Sequence, residues 1–232
     1  MEIRILHLLD GAAQAEGLTV IIDVFRAFSL ECYMFAANAE RILPVGTVEE
    51  AFACRQKDPA CILAGERNGI MVDGFDYGNA PSQFAELDLS GRTVIHTTSA
   101  GVQGLVNARK ADIILTGALV NAKATAEYIR RKDPEVVSLV AMGWNAKRDT
   151  EEDILCAEYI RSLLLGQPMA EIRRLADELR RTEGKKFFDP SRPEFPEADF
   201  GLCTDVDRFD FVIEAVRKNG GFEAVRRNLN EA

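Results

Sequence analysis

Short apolar runs alternate along the chain with longer stretches in which apolar residues recur at helical spacing. The run "LTVIID" (Leu18–Asp23) reads as a buried strand, followed by a helical stretch through "AFSLECYMFAANAE". Next come "RILPV", a short strand, and "TVEEAFACRQ", a helix. Three further strands, "RTVIHT", "ADIILTG" and "EVVSLVAMG", are rich in Val and Ile, end in small or polar residues and lead into helical patterns. Continuous apolar runs suit strands covered on both faces. The alternation predicts an α/β protein with a mostly parallel sheet between helical layers, a three-layer α/β/α arrangement.

Between "CILAG" and "IMVDG" stands Asn68-Gly69, a strong two-residue hairpin signal, because both residues tolerate φ > 0. The region Glu151–Glu183 is long and helical, and it breaks at Gly166-Gln167-Pro168. The segment "FFDPSRPEFPEADFG" carries Pro190, Pro193 and Pro196 and is poor material for regular structure. The last patterned segment, "FDFVIEAVRKNGG", reads as a helix that ends at a glycine cap. A single domain over residues 1–232 is expected, with a candidate subdivision near 185–200.

Composition adds exclusions. Of 232 residues, 47% are apolar and 28% charged, the balance of a soluble globular chain. The formal net charge of −9 argues against nucleic acid, since no basic stripe exists to neutralise phosphates. An acidic protein that binds a small anionic substrate has to concentrate positive charge locally, so individual arginines carry weight. The five cysteines are irregularly spaced and form no C-x-x-C, the usage of reduced thiols in a cytoplasmic protein. No signal peptide is legible, and no apolar run approaches the ~20 residues that span a bilayer, so a membrane is not an expected partner. The pattern leaves room for a homo-oligomer.

Ligands in open parallel sheets sit beyond the carboxyl ends of strands. There the first buried strand places Asp23 and, three residues on, Arg26. Asp23 can hold a divalent cation or attack a phosphoryl group; it can equally be an N-cap. The strand "TVIHT" runs into "TSAGVQG", where Ser99 and Gly101 could cradle an anion at a helix start, or Ser99 could simply cap the helix. No Walker loop and no G-x-G-x-x-G is present. His96, inside the strand, reads as a packed core histidine. In "GWNAKRDTEED", Thr150 and Asp153 resemble a capping box. Arg148, a cation just before a helix N-terminus, is misplaced unless it faces an anion. In "GERNGIMVDGFDYGNAPSQF", Glu66, Arg67, Asp73 and Asp76 stand among spaced glycines; solvated hairpin charges are the plain alternative. Together, Arg26, Arg67 and Arg148 are candidate oxyanion clamps. Asp23, Glu66 and Asp76 are hard oxygen ligands of the kind magnesium takes.

The segments "VIIDVFRAFS", "AGERNGIMVDGFDYGNAPSQF", "TTSAGVQG", "GALVNAKATA" and "MGWNAKRDTEEDILCAEYI" closely resemble the 2-phosphosulfolactate phosphatase family, in order from about Leu18 to Ile160. The closing "LCTDVDRFDFV" is similar to the family's last segment. The resemblance implies a magnesium-dependent hydrolase that releases phosphate from 2-phospho-3-sulfolactate, giving 3-sulfolactate, a step of coenzyme M synthesis in some organisms. It implies the family's own three-layer fold. Under this reading Asp23, Glu66 and Arg67 are the catalytic candidates, and Arg26, Ser99, Gly101, Asn145 and Arg148 contact substrate. Asp23, Glu66 and Asp76 hold the magnesium. Water attack and attack by Asp23 both stay open. The D-x-D of a haloacid-dehalogenase route is missing, because Phe25 occupies its third position, and Cys203 to Arg208 falls one residue short of C-x5-R. The competing readings are a phosphatase of the same mechanism on another small phosphorylated acid, and a non-enzymatic binder of sulfonate or phosphate.

Overall fold

The computed structural model describes residues 1–218 and 220–229. Its strands are β1 (Glu2–His7), β2 (Gly17–Ile22), β3 (Arg41–Pro44), β4 (Ile62–Arg67), β5 (Ile70–Met71), β6 (Thr93–Thr97), β7 (Ala111–Gly117), β8 (Val136–Ala141), β9 (Phe211–Lys218) and β10 (Gly221–Asn228). Its helices are α1 (Leu8–Gln14), α2 (Ala27–Ala36), α3 (Val48–Lys57), α4 (Gly101–Asn107), α5 (Ala122–Lys132), α6 (Glu151–Leu164), α7 (Ile172–Glu178) and α8 (Glu197–Thr204). No helix among the described residues is long and apolar enough to cross a membrane.

Side chains alternate across a strand, and along β2 this builds both outer layers. Ile21 faces a core shared with α1, α2 and α4. Leu18, Val20 and Ile22 face a second core with α5, α6, α7 and α8. A third cluster joins α3 to Leu63 and Ile95. Helix α2 is buried on nearly every residue, Glu31 included, because its sequence is apolar on all sides. Helix α3 is amphipathic instead and begins at a capping box between Thr47 and Glu50. The chain is therefore α/β, with helices on both faces of a mostly parallel sheet.

The sheet order is β1-β8-β2-β7-β9-β10-β3-β6-β4-β5. Two parallel blocks, β1-β8-β2-β7 and β3-β6-β4, flank an antiparallel pair, β9 and β10. That pair overturns the helix expected for "FDFVIEAVRKNGG". Phe211, Ile213 and Ala215 face one core while Val212 faces the other, a period of two. The run fits a helix by spacing alone; pairing between two strand blocks decides the outcome. Gly220, at φ 82, lies in the turn between β9 and β10 and caps no helix.

Between the two parallel blocks the strand direction reverses three times, at β7–β9, β9–β10 and β10–β3. The blocks therefore run in opposite senses, and their carboxyl ends would lie apart in a flat sheet. They meet because α4, which follows β6, packs onto β2: a Cβ on Gly104 would lie 2.6 Å from both Ile21 and Met142. Only glycine permits that approach. The Asn68-Gly69 hairpin forms as expected, with φ 56 and 84, and pairs Arg67 with Ile70.

Candidate active site

The end of β2 delivers Asp23 into a buried position. Its Oδ1 accepts from the backbone N–H of Ala27 at 3.1 Å and its Oδ2 from that of Gly101 at 2.9 Å. The first bond serves α2 much as an N-cap would; the second joins the β2 loop to the start of α4. Burial pushes the Asp23 carboxyl up to about 6; the nearby Glu66 charge adds to the rise, and the two backbone donors and His96 oppose it. A Cβ on Gly101 would lie 3.0 Å from Oδ2, so glycine keeps this approach open.

Glu66, at the end of β4, knits the hairpin to the β6–α4 loop. Its Oε1 accepts from Ser99 N at 2.6 Å, and its Oε2 accepts from Gly69 N at 2.6 Å and Ser99 Oγ at 3.0 Å. Ser99 Oγ also accepts from Asn68 N at 3.1 Å. Ser99 is therefore a hub of the loop, and the N-cap position of α4 falls to Ala100. Arg26 is 2% exposed. It donates to Asp199 Oδ2 at 2.8 Å and to the carbonyls of Glu194 at 2.9 Å and Gly69 at 3.1 Å. Its face packs on the Phe195 ring, 4.7 Å from the centroid, a cation–π contact.

Asp23, Arg26, Glu66, Ser99 and Asn145 line one narrow crevice of about 30 Å³, walled by Trp144 and Phe195. Ser99 and Asn145 also line a wider, more open chamber of about 460 Å³ beside it. Arg67 lines the wider chamber; its Nη1 donates to Glu66 O at 2.6 Å and its Nη2 to Thr97 Oγ1 at 2.9 Å. Gly101 reaches the crevice through its bond to Asp23. Asn145 donates to Asn68 Oδ1 at 2.8 Å, tying the β8 loop to the hairpin.

Two expected site residues lie elsewhere. Asp76 pairs with Arg55 and accepts from Leu63 N at 2.8 Å, in a separate cleft outside β4. Arg148 pairs with Glu183 at 2.5 Å on an exposed flank, so the cation before α6 faces a carboxylate of the chain and no ligand is needed to explain it. The metal triad of Asp23, Glu66 and Asp76 therefore does not assemble. Among the described residues no three Asp, Glu, His or Cys side chains converge so as to hold a metal ion. Asp23 and Glu66 alone share the crevice. That pair still suits magnesium, which keeps several waters and commonly takes one or two carboxylates plus substrate phosphate.

Sequence reasoning placed Asp153 in a capping box; the structure uses it otherwise. Its Oδ1 accepts from Val24 N at 2.7 Å and its Oδ2 from Gly143 N at 2.8 Å, pinning the loops after β2 and β8 together. Burial and the Glu152 and Asp23 charges hold its carboxyl well above the usual range. Asp199 and Phe195 were also missed. Both come from the proline-bearing region, which folds back over the crevice, and no local pattern links Arg26 to a carboxylate 173 positions away. His96 is a packed histidine, bonded to Glu31 at 3.0 Å and Asn79 at 3.2 Å. In the loop after β8, Asn145 and Ala146 both take left-handed φ, 53 and 54. For residues with a Cβ this costs about 1–2 kcal/mol each. Within this turn and just beyond it, Asn145 and Lys147 border the chambers, while Arg148 pairs with Glu183 on the flank.

An α/β sheet whose loops gather Asp23, Glu66 and Arg26 around one narrow crevice, with Arg67 in the wider space beside it, is the frame of an α/β protein with charged groups of both signs at one opening. The chain belongs to the 2-phosphosulpholactate phosphatase family, whose profile matches residues 4–218. It is 31% identical over 216 residues to a Bacillus subtilis protein described as a probable 2-phosphosulfolactate phosphatase, covering 90% of this chain and 91% of the relative. A Carboxydothermus hydrogenoformans protein of the same description is 37% identical over 173 residues, 74% of this chain and 71% of its own. A third, from Thermotoga petrophila, is 31% identical over 211 residues, covering 88% and 90%.

Proposed function

We propose that the chain hydrolyses the phosphate monoester of 2-phospho-3-sulfolactate, giving 3-sulfolactate and phosphate, with magnesium as cofactor. The observation that carries this reading is the meeting of Asp23, Glu66 and Arg26 in one buried crevice, in a chain of this family. Asp23 and Glu66 would hold the magnesium. Bound there, it would supply positive charge to the phosphate oxygens. Arg26 presents a guanidinium fixed by three bonds to protein acceptors, a preorganised donor toward charge that develops on phosphorus oxygens.

Both Asp23 oxygens already accept a backbone N–H. This weakens the carboxylate as a nucleophile and suits it to orienting water. In this reading a water oxygen forms the new bond to phosphorus and its proton passes to bulk water. The bond from phosphorus to the C2 oxygen breaks, and the leaving alkoxide takes a proton from bulk water. The test is phosphate release from 2-phosphosulfolactate with magnesium, without it, and after chelation. Release that magnesium restores supports the reading; no release under any divalent metal overturns it.

A further inference from the structure

We propose that Lys147 is the residue that selects a sulfonate on the substrate, with Arg67 taking the carboxylate beside it; this deepens the phosphatase reading above and rests on it. The inner crevice, at about 30 Å³, is far smaller than the outer chamber of about 460 Å³. A phosphoryl group directed at Asp23, Glu66 and Arg26 fills it, entering beside Ser99 and Asn145, which border both spaces. The rest of the substrate, with two further acid groups, has to lie in the 460 Å³ outer chamber.

That chamber offers two cations. Arg67 is anchored by Glu66 O and Thr97 Oγ1 and keeps further N–H donors. Lys147 has no ion pair or side-chain hydrogen bond among the described residues, yet it lines the chamber. Its neighbour Arg148 is engaged by Glu183, and Arg26 lies in the inner crevice. The left-handed pair Asn145 and Ala146 immediately precedes the two neighbouring cations, both exposed, of which Lys147 borders the chamber. The planar fork of a guanidinium matches a planar carboxylate. An ammonium is a compact charge with three donors and no preferred plane, which matches a sulfonate's three equivalent oxygens. Glu49 also lines the chamber and opposes an anion there, so Lys147 has to outweigh it.

The experiment compares kcat/KM for 2-phosphosulfolactate and 2-phospholactate, which lacks the sulfonate, in the wild type, K147M, K147R and E49Q. The ratio of the two substrates should fall about tenfold in K147M, carried by KM while kcat holds, the signature of lost binding shared by ground and transition states. K147R should keep most of the ratio and E49Q should raise it. A K147M ratio within twofold of wild type, or equal losses on both substrates, overturns the assignment. Calorimetric binding of 3-sulfolactate against lactate to K147Q makes the same comparison without turnover, and equal affinities relative to wild type overturn it too. A wild type that releases phosphate from neither substrate overturns the functional reading itself. Turnover by the wild type with an unmoved ratio fells only the role of Lys147.

Discussion

The inner crevice and the outer chamber are built on opposite rules. In the crevice, both oxygens of Asp23 and of Glu66 accept hydrogen bonds, and Arg26 is held by three acceptors. In the chamber, Arg67 is held by two acceptors, but Lys147 has no such partner among the described residues. Fixed groups suit a step in which charge moves and reorganisation costs rate. Free groups suit recognition of a substrate's distal charges. Substitutions in the crevice should therefore damage stability or turnover, and substitutions in the chamber should change which substrate is preferred.

The largest effect should come from the support beneath the crevice. Arg26 and Asp199 form an ion pair at 2.8 Å with side chains 2% and 0% exposed, and Asp199 Oδ1 also accepts from Ser82 N. Removing one partner of a buried pair strands the other charge, a loss of about 3–5 kcal/mol. D199A should fall by that much in denaturant unfolding at neutral pH. A loss below about 1 kcal/mol would show that the pair is hydrated in solution, and the contrast between pinned crevice and free chamber would fail.

Next in size is Asp23→Asn. It keeps a hydrogen-bond acceptor for one backbone donor, sets an amide N–H against the other, and removes the charge. Turnover should fall by at least ~10²-fold, the usual cost of losing one such group, with a loss of about 1–3 kcal/mol in unfolding for the backbone donor left unpaired. Retained turnover would remove Asp23 from the chemistry and leave it as a joint between α2 and α4.

How much of this was legible beforehand divides along the same line. The strands that end at Asp23 and Thr97, and the hairpin at Asn68-Gly69, follow from apolar runs and turn chemistry, so Asp23, Glu66 and Ser99 were found. Their signals are local. Arg148 and Asp76 were misplaced because a charge near a strand end looks the same whether it faces a ligand or a carboxylate of the chain; the partners, Glu183 and Arg55, are set by tertiary packing. The helix expected over Phe211–Lys218 failed for a related reason. Its apolar spacing satisfies both periods, and only the strand blocks on either side choose between them. The left-handed turn before Lys147 was not legible, since Asn145 and Ala146 make it with no glycine at either position to announce it.

A smaller effect should appear as a pH dependence of stability. Glu152, in the first turn of α6, is buried; that burial pushes its carboxyl up to about 7, against the pull of the nearby Lys186 charge. Its Oε2 has no hydrogen-bond partner among the described residues. A carboxyl raised in the folded state binds its proton more tightly there than in the unfolded chain. Its contribution is full below the ordinary value of 4.5 and is lost as pH rises through about 7. Acidification from about pH 8 to about pH 5.5 should therefore stabilise the wild type relative to E152Q by about 1–2 kcal/mol. Parallel stability curves for the two proteins would show that Glu152 is solvated or stays ionised beside Lys186.

The smallest effect expected is the sharpest test of the boundary between the two regions. Arg148 stands one residue from Lys147 and carries the same charge, but on a guanidinium that pairs with Glu183 outside the chamber. Its side chain is 57% exposed and pairs with Glu183, and that pairing holds the Glu183 carboxyl below its usual range. Surface ion pairs contribute ~0–1 kcal/mol. Arg148→Gln should therefore change unfolding by no more than about 0.5 kcal/mol, and should leave kcat/KM and the preference for a sulfonated substrate within twofold of wild type. K147M, equal in charge change and adjacent in sequence, should move that preference about tenfold. Equal responses at the two positions would mean that the crevice senses only the net charge of its rim, through a field that falls off over about 10 Å at 0.1 M salt. The left-handed turn at Asn145 and Ala146 would then have no part in selecting substrate. Repeating both variants at high salt separates the cases, because a direct contact in the chamber is screened far less than a field at the rim.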